Sequence, residues 1–377
     1  MSSLKIGYDA KRAFFNRRGL GNYSRDTIRI LSNLAPENEY FLYTPKIKGA
    51  ISFPYNKENS KVITPTGLSS VGFLSSLWRT KGMCKNIEAD QLDIYHGLSH
   101  ELPYGIEKTN ARRVVTMHDL IFLKNPELFP FFDRYSFKKK YTHGCQIADC
   151  VIAISEQTKA DLIECLGEKE ERIEVVYQGC NPVFQHPVDE AKMLEVKQNL
   201  HLPDQFMLIV CAIERRKNHE LILKAMRDPR VDIPLVVIGR PSEYQKHLQE
   251  LIAQYHLENK VIFLNEVATR DLPIFYKLAT LFVYPSLFEG FGIPILEALT
   301  MKTPVITSKG SCFEETGGDA AKYVSSDNAE ELAEAIVQVL GSQELQAEMI
   351  RKGTIHAEKF SDKAIAQNLM NVYKKLV

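Results

Sequence analysis

Residues 282–297 read Phe282-Val-Tyr-Pro-Ser-Leu-Phe-Glu-Gly-Phe-Gly-Ile-Pro-Ile-Leu-Glu297. The run Leu281–Tyr284 has no polar face, so it predicts a buried strand. Gly290 and Gly292 permit unusual φ and close backbone approach. Pro294 then marks the first position of a helix, where a missing N–H costs nothing. Such a helix start offers unpaired N–H groups and a positive dipole end, which suit an anion such as a diphosphate. Glu289 and Glu297 bracket the turn. One account makes them acceptors for sugar hydroxyls. The other makes Glu289 a solvated loop charge and Glu297 a first-turn acid that the dipole stabilises by ~0.3–1 kcal/mol.

The same strand-then-helix unit recurs on both sides. Apolar runs at Leu4–Tyr8, Tyr40–Tyr43, Ile94–Tyr95, Val114–Met117, Cys150–Ile154 and Ile173–Val176 form a first series. Met207–Ala212, Leu235–Ile238, Val261–Leu264, Leu281–Tyr284 and Pro304–Thr307 form a second. Helical patterns at His219–Met226, Tyr244–Tyr255, Asp271–Lys277 and Ala329–Leu340 separate the later runs. Strands this uniformly apolar belong to parallel sheets covered on both faces. The fold class is therefore α/β, with two doubly wound Rossmann-like domains that face each other across a cleft at the carboxyl ends of their strands. Asn181–Gln205, with three prolines, reads as the linker. The expected division is 1–185, 186–361 and a terminal helix, 362–377.

The length of 377 residues agrees with two domains at roughly 100–200 residues each. Lys+Arg and Asp+Glu both number 47, so no net charge points to nucleic acid. Residues 1–148 nevertheless hold 22 basic against 13 acidic residues, and the remainder is acidic to the same extent. That asymmetry suits an anionic surface or substrate at the front half, or reflects ordinary surface sampling. Seven cysteines without a C-x-x-C pair read as free thiols in a reducing compartment. No run approaches ~18 apolar residues, so the expected location is cytoplasmic, with any membrane contact peripheral.

The 282–297 segment resembles the E-x7-E signature of the retaining glycosyltransferases of family 4, which have the GT-B fold. Further resemblances lie, in order, at Ala148–Leu162, Arg172–Gly179 and Met301–Ser308. Thr116-Met-His-Asp-Leu120 is similar to the T-x-H-D-L form of mannosyltransferase-like members. The resemblance implies that Glu297 holds the donor ribose and that Glu289 lies by the donor sugar. Phe291, Gly292 and Ile293 would offer N–H groups to sugar and phosphate, and Glu315 aligns with a family acid.

Cys211-Ala-Ile-Glu-Arg-Arg-Lys-Asn218 follows a strand directly. Cations there would neutralise a leaving diphosphate, a contribution of about 3–4 kcal/mol per donor; a solvated basic loop is the plain alternative. By resemblance Lys217 is the family lysine. Ala212 stands at the usual arginine position and Cys211 at a usual glycine, so Arg216 is the substitute and Arg215 the reserve. No D-x-D occurs, which implies a metal-independent mechanism with no cofactor and the nucleotide-sugar as donor substrate.

His118 ends a buried strand. Its ordinary role is structural; the resemblance places it at the donor sugar, with Asp119 following. Arg18-Gly-Leu-Gly-Asn-Tyr-Ser24 carries a G-x-G too far from the first strand, and without the later acid, for a dinucleotide fingerprint. By resemblance Gly19, Gly21, Asn22 and Tyr23 face donor phosphate and acceptor; the alternative is a plain turn. Phe129–Tyr141 interleaves aromatic and basic residues. It is either a helix with an aromatic core face and a basic solvated face, or an interfacial helix on anionic lipid, with Gly72–Lys81 a candidate for the same surface.

The sequence thus implies a retaining hexosyltransferase, with mannose from GDP-mannose favoured. The acceptor would be a carbohydrate or lipid-linked oligosaccharide in surface polysaccharide synthesis. A nucleotide-sugar epimerase, a phosphorylase and a non-catalytic partner subunit are the alternatives.

Overall fold

Two parallel sheets organise the chain in the computed structural model, which describes residues 3–66, 75 and 77–377. The first contains β1 (Lys5–Asp9), β2 (Glu39–Tyr43), β3 (Ser60–Ile63), β4 (Ile94–Gly97), β5 (Arg112–Met117), β6 (Cys150–Ala153) and β7 (Ile173–Val175), in the order 3-2-1-4-5-6-7. The second contains β8 (Met207–Val210), β9 (Leu235–Ile238), β10 (Val261–Leu264), β11 (Leu281–Tyr284), β12 (Val305–Ser308) and β13 (Ala321–Val324), in the order 10-9-8-11-12-13. Ladders such as Tyr8 opposite Leu42, or Phe282 opposite Val305, are parallel throughout. Every residue of β4, β6, β9, β11 and β12 is buried, as expected for central strands packed under helices on both faces.

In each sheet the strand order reverses once, between β1 and β4 and between β8 and β11. Crevices for ligands open at the carboxyl ends of the strands flanking such a reversal. Glu289 follows β11 and Arg216-Lys217 follow β8, so the topology delivers these side chains to the second reversal point.

Met1–Gly179 together with Ser361–Val377 form one compact unit, and Cys180–Phe360 the other. The division thus falls at Gly179/Cys180. The stretch Asn181–Gln205 is not a bare linker. It carries a short turn, Pro182–Gln185, and a helix, Glu190–Asn199, capped by the Asp189 carboxylate, and it belongs to the second unit. The terminal helix, Asp362–Leu376, starts at a Ser361 cap and buries Ile365, Leu369, Val372 and Tyr373, a stripe at helical spacing. Arg29 grips Asp362 with two bonds, 2.6 and 3.1 Å, and Tyr373 Oη meets His96 Nδ1 at 2.7 Å, tying this helix to the first unit.

Candidate functional site

At the second reversal point, a single 3-10 turn, Arg215–Lys217, carries the three cations. One turn of such a helix sends successive side chains in different directions, and only two of the three enter the site. Lys217 is buried. Its ammonium reaches Tyr284 Oη at 2.8 Å and pairs closely with Glu289 Oε1. Arg216 donates to the Phe288 carbonyl at 2.6 Å and lies 2.8 Å from Glu289 Oε1. Arg215, the donor-binding reserve, is exposed and stands outside this cluster. Asn218, at φ 58°, anchors the turn by donating to the Pro285 and Ser326 carbonyls at 3.0 and 2.7 Å.

Glu289 is the hub. Tyr284 Oη at 2.9 Å and Ser286 Oγ at 2.6 Å also donate to its Oε1. Among the described residues no hydrogen bond is made to Oε2. Burial alone would raise this carboxyl, but Lys217 and Arg216 outweigh it and hold it at about 2. Glu289 is therefore a permanent anion with one oxygen fixed among cations. The solvated-loop reading does not describe it.

The helix begins at Ile293, with Gly292 before it at φ +90°. A side chain there would be strained, so glycine is required. Gly290 does not enter the left-handed region, and Pro294 occupies the second helical position rather than the first. Phe291 is buried, its carbonyl accepting from the Thr316 hydroxyl, which pins the turn from below. The N–H groups that open a helix have no partner within it. Gly292 and Ile293 thus present their amides at the mouth where the resemblance places sugar and phosphate.

Glu297 lies one turn into the helix, not in its first turn. Burial pushes its carboxyl up to about 7, and the bond from Tyr276 Oη at 2.7 Å pulls it back only partly. A dipole-stabilised acid would be shifted downward. Past the first turn, where the dipole's hold falls off, Glu297 does not fit that account. Tyr276 and Tyr284 have no solvent exposure, and the sequence reading passed over both. A signal existed: a phenol in a buried strand or helix needs a polar partner.

In the first unit, His118 follows β5 with 6% exposure. Its Nε2–H donates to the Leu98 carbonyl at 2.9 Å, and its ring stands edge-on to Tyr23 at 4.5 Å. Burial lowers it to about 4, with Arg12 contributing in the same direction against the Leu98 bond, so the imidazole is neutral. Tyr23 is also buried, its hydroxyl 3.0 Å from Thr116 Oγ1, which in turn lies 2.7 Å from His96 Nε2. Tyr23, read as an acceptor ligand, thus packs in the core with its hydroxyl engaged by Thr116. Gly21 is a packing residue: a Cβ there would sit 1.8 Å from the Asn16 carbonyl oxygen. Asn22 Oδ1 accepts from Arg25 at 2.5 Å, and Gly19 is exposed with open space around it.

The first reversal point holds charges that sequence reasoning missed. Asp9, at the end of β1, pairs with Arg79 at 2.5 Å; Glu101, past β4, pairs with Arg79 at 3.1 Å and Lys140 at 3.2 Å. These residues, with Lys11, Tyr104 and His143, line a cleft of about 210 Å³. They come from four separate segments, so no local pattern announces them.

The comparisons agree with this architecture. A model described as "Glycosyltransferase Family 4" matches residues 19–184, and one described as "Glycosyl transferases group 1" matches 192–356. An O-antigen chain mannosyltransferase B of Escherichia coli is 29% identical over 289 residues, 75% of this chain and 74% of that one. Sucrose-phosphate synthase from Thermosynechococcus elongatus superposes with a TM-score of 0.79 at 21% identity over 99% of both chains. HepE of Anabaena, solved in complex with UDP, superposes at 0.73 and 17% identity over 99% of this chain and 100% of that one. Two parallel doubly wound units on the GT-B plan carry both matches, which run from residue 19 to 356 and leave only 185–191 between them; the chain belongs to glycosyltransferase family 4 and is a glycosyltransferase.

Proposed function

We propose that the protein transfers mannose from GDP-mannose, with retention at the anomeric carbon and without a metal ion, to a carbohydrate or lipid-linked oligosaccharide in surface polysaccharide synthesis. The observation that carries this reading is the Glu289 hub. It fixes Arg216 and Lys217 beside the helix start at Gly292-Ile293, where a diphosphate would find two cations and backbone amides. Glu289 Oε2 remains for a sugar hydroxyl, and Glu297 for the ribose. The similarity to an O-antigen mannosyltransferase supports the sugar and the pathway class. The lack of D-x-D supports a role for side-chain cations where other enzymes use a metal.

In the proposed step the bond from the anomeric carbon to the diphosphate oxygen breaks, and Arg216 and Lys217 stabilise the charge that builds there. The acceptor hydroxyl adds on the same face, and its proton passes to the departing phosphate oxygen. No protein nucleophile is used. His118, neutral and tied to Leu98, serves as a fixed dipole in this scheme. The charged cleft at Asp9, Arg79 and Glu101 is the proposed acceptor site. A non-catalytic reading rests on Cys211 and Ala212; the assembled cluster of Arg216, Lys217 and Glu289 speaks for a working enzyme.

Calorimetric titration with GDP, UDP and ADP tests the donor. Preference for GDP by at least about tenfold, ~1.4 kcal/mol, is expected, and an equal preference for UDP or ADP contradicts it. Proton NMR of the product made in the presence of EDTA should show an α-mannoside. A β-anomer would refute retention, and loss of turnover restored by Mg²⁺ would refute metal independence.

A further inference from the structure

The helix Phe131–Ile147 does not have the single aromatic core face that one sequence reading expected. Phe137 and Tyr141 turn inward, and Tyr141 stacks on His100 at 4.2 Å. Phe131, Phe132 and Tyr135 face solvent with 66%, 82% and 67% exposure. At ~100° per residue, these three and the exposed Lys138 and Lys139 share one arc of roughly 120°. Aromatic rings in the first turn are therefore followed, on the same side, by ammonium groups one to two turns later. In Gly72–Lys81, the second sequence candidate, residues 72–74 and 76 lie outside the described residues; of the rest, Trp78 is buried and Arg79 is paired with Asp9 and Glu101, so neither is offered to a surface.

Exposing three large aromatic rings to water has a cost, and singly scattered apolar residues are not what is seen here. Rings that insert at a headgroup boundary, flanked by lysines that meet negative charge, are the arrangement that binds an interface. The charge of the front half, 22 basic against 13 acidic residues over 1–148, has the sign this requires. The same helix also lines the first-unit cleft. Lys140 bonds Glu101 at 3.2 Å, and the His143 ring stacks on Tyr104 at 4.2 Å. From Phe132 to Lys140 the helix rises about 12 Å. We propose that the Phe131–Lys139 end of this helix docks on an anionic lipid bilayer and so sets the cleft beside the membrane surface, where a lipid-linked acceptor presents its sugar. The last clause rests on the proposed function; the docking itself does not.

Co-sedimentation of the full-length protein with vesicles tests it, using phosphatidylglycerol–phosphatidylcholine mixtures against phosphatidylcholine alone. Binding to the anionic vesicles should exceed binding to neutral ones by at least about tenfold and weaken as salt rises from about 50 to 500 mM. Phe131→Ser with Phe132→Ser, and separately Lys138→Glu with Lys139→Glu, should each lower it by about tenfold while GDP affinity stays unchanged. No binding to anionic vesicles overturns the proposal, as does binding that neither double variant alters. Sedimentation velocity showing a self-association that Phe131→Ser/Phe132→Ser abolishes would assign the face to a second copy and also overturn it. Failure of GDP binding with vesicle binding intact would count against the proposed function alone.

Discussion

Tyr276 Oη donates to Glu297 Oε2 at 2.7 Å, from a ring with no solvent exposure to a carboxyl that burial has carried up to about 7. One phenolic bond is little compensation for a half-buried carboxylate that has lost part of its hydration. Further donors from a ligand, such as ribose hydroxyls, would favour its ionised form.

A pH dependence follows. Hydroxyl donors favour the ionised carboxylate, so the unliganded enzyme must release a proton to bind below pH 7. GDP-mannose affinity should be level above about pH 8 and fall as pH drops below 7, by up to tenfold per unit. Tyr276→Phe removes the downward pull and should move the onset to higher pH; Glu297→Gln should flatten the profile. Calorimetry from about one and a half pH units below 7 to about one and a half above it checks this. A flat profile in the parent contradicts it.

The same group affects stability with the opposite sign from an ordinary carboxylate. A folded-state value raised above the unfolded one contributes stability at low pH that is lost as pH rises through about 7. Glu297→Gln should therefore be more stable than the parent at pH 8, by about 2 kcal/mol, and no more stable near pH 4. Thermal unfolding of the ligand-free proteins at both pH values measures it.

Glu289 behaves in the reverse way. Held down at about 2 by Lys217 and Arg216, it contributes stability present above the usual carboxylate range and lost as pH falls toward 2. Glu289→Gln leaves the buried Lys217 without its counter-charge and Arg216 with Glu214 at 3.9 Å, at a cost of about 3 kcal/mol. Added GDP should raise Tm more in this variant than in the parent, because the diphosphate restores negative charge. Equal shifts would remove the anion-binding role of the pair.

The two arginines separate by turnover. Arg216→Ala and Lys217→Ala should each lower kcat by at least about tenfold, since a preorganised cation at the leaving group contributes several kcal/mol. Arg215→Ala should stay within about twofold. Steady-state rates with GDP-mannose decide it, and a reversed ranking would restore Arg215 to the site.

The first-unit glycines separate by stability. Gly21→Ala pushes a methyl into the Asn16 carbonyl and should cost about 1–3 kcal/mol. Gly19→Ala meets open space and should leave Tm unchanged. A loss of kcat in Gly19→Ala at unchanged Tm would show that this helix start touches a substrate; chemical denaturation alongside rate measurement reads both.

Much of this arrangement is legible in the chain because central parallel strands carry an unmixed apolar signal. Leu281–Tyr284 and Leu235–Ile238 are found where their composition puts them. The strands β3 and β13 escape notice because each is an edge strand, partly exposed, with Lys61 or Lys322 in its middle. The helix Glu190–Asn199 has no buried residue, so it offers no periodicity and reads as linker. Within the site, the strand-turn-helix order locates Glu289, Glu297 and the basic turn. Sequence does not tell Arg215 from Arg216, because that choice depends on the phase of one 3-10 turn. Nor does it show Tyr276 and Tyr284, or the cleft at Asp9 and Glu101, which exist only once distant segments meet. Nor does it show that Tyr23 and Gly21 are packed against their neighbours, because a glycine or a phenol near a helix start can serve the core as well as a ligand.

The central claim is that Glu289 organises Arg216, Lys217 and the Gly292–Ile293 helix start into a seat for a nucleoside diphosphate. A crystal structure with bound GDP addresses it most directly. The account predicts the β-phosphate within hydrogen-bonding distance of Lys217 Nζ and the Arg216 guanidinium, with both ribose hydroxyls on Glu297. A nucleotide bound elsewhere, or seated with its ribose away from Glu297 and its phosphates away from both cations, would contradict it.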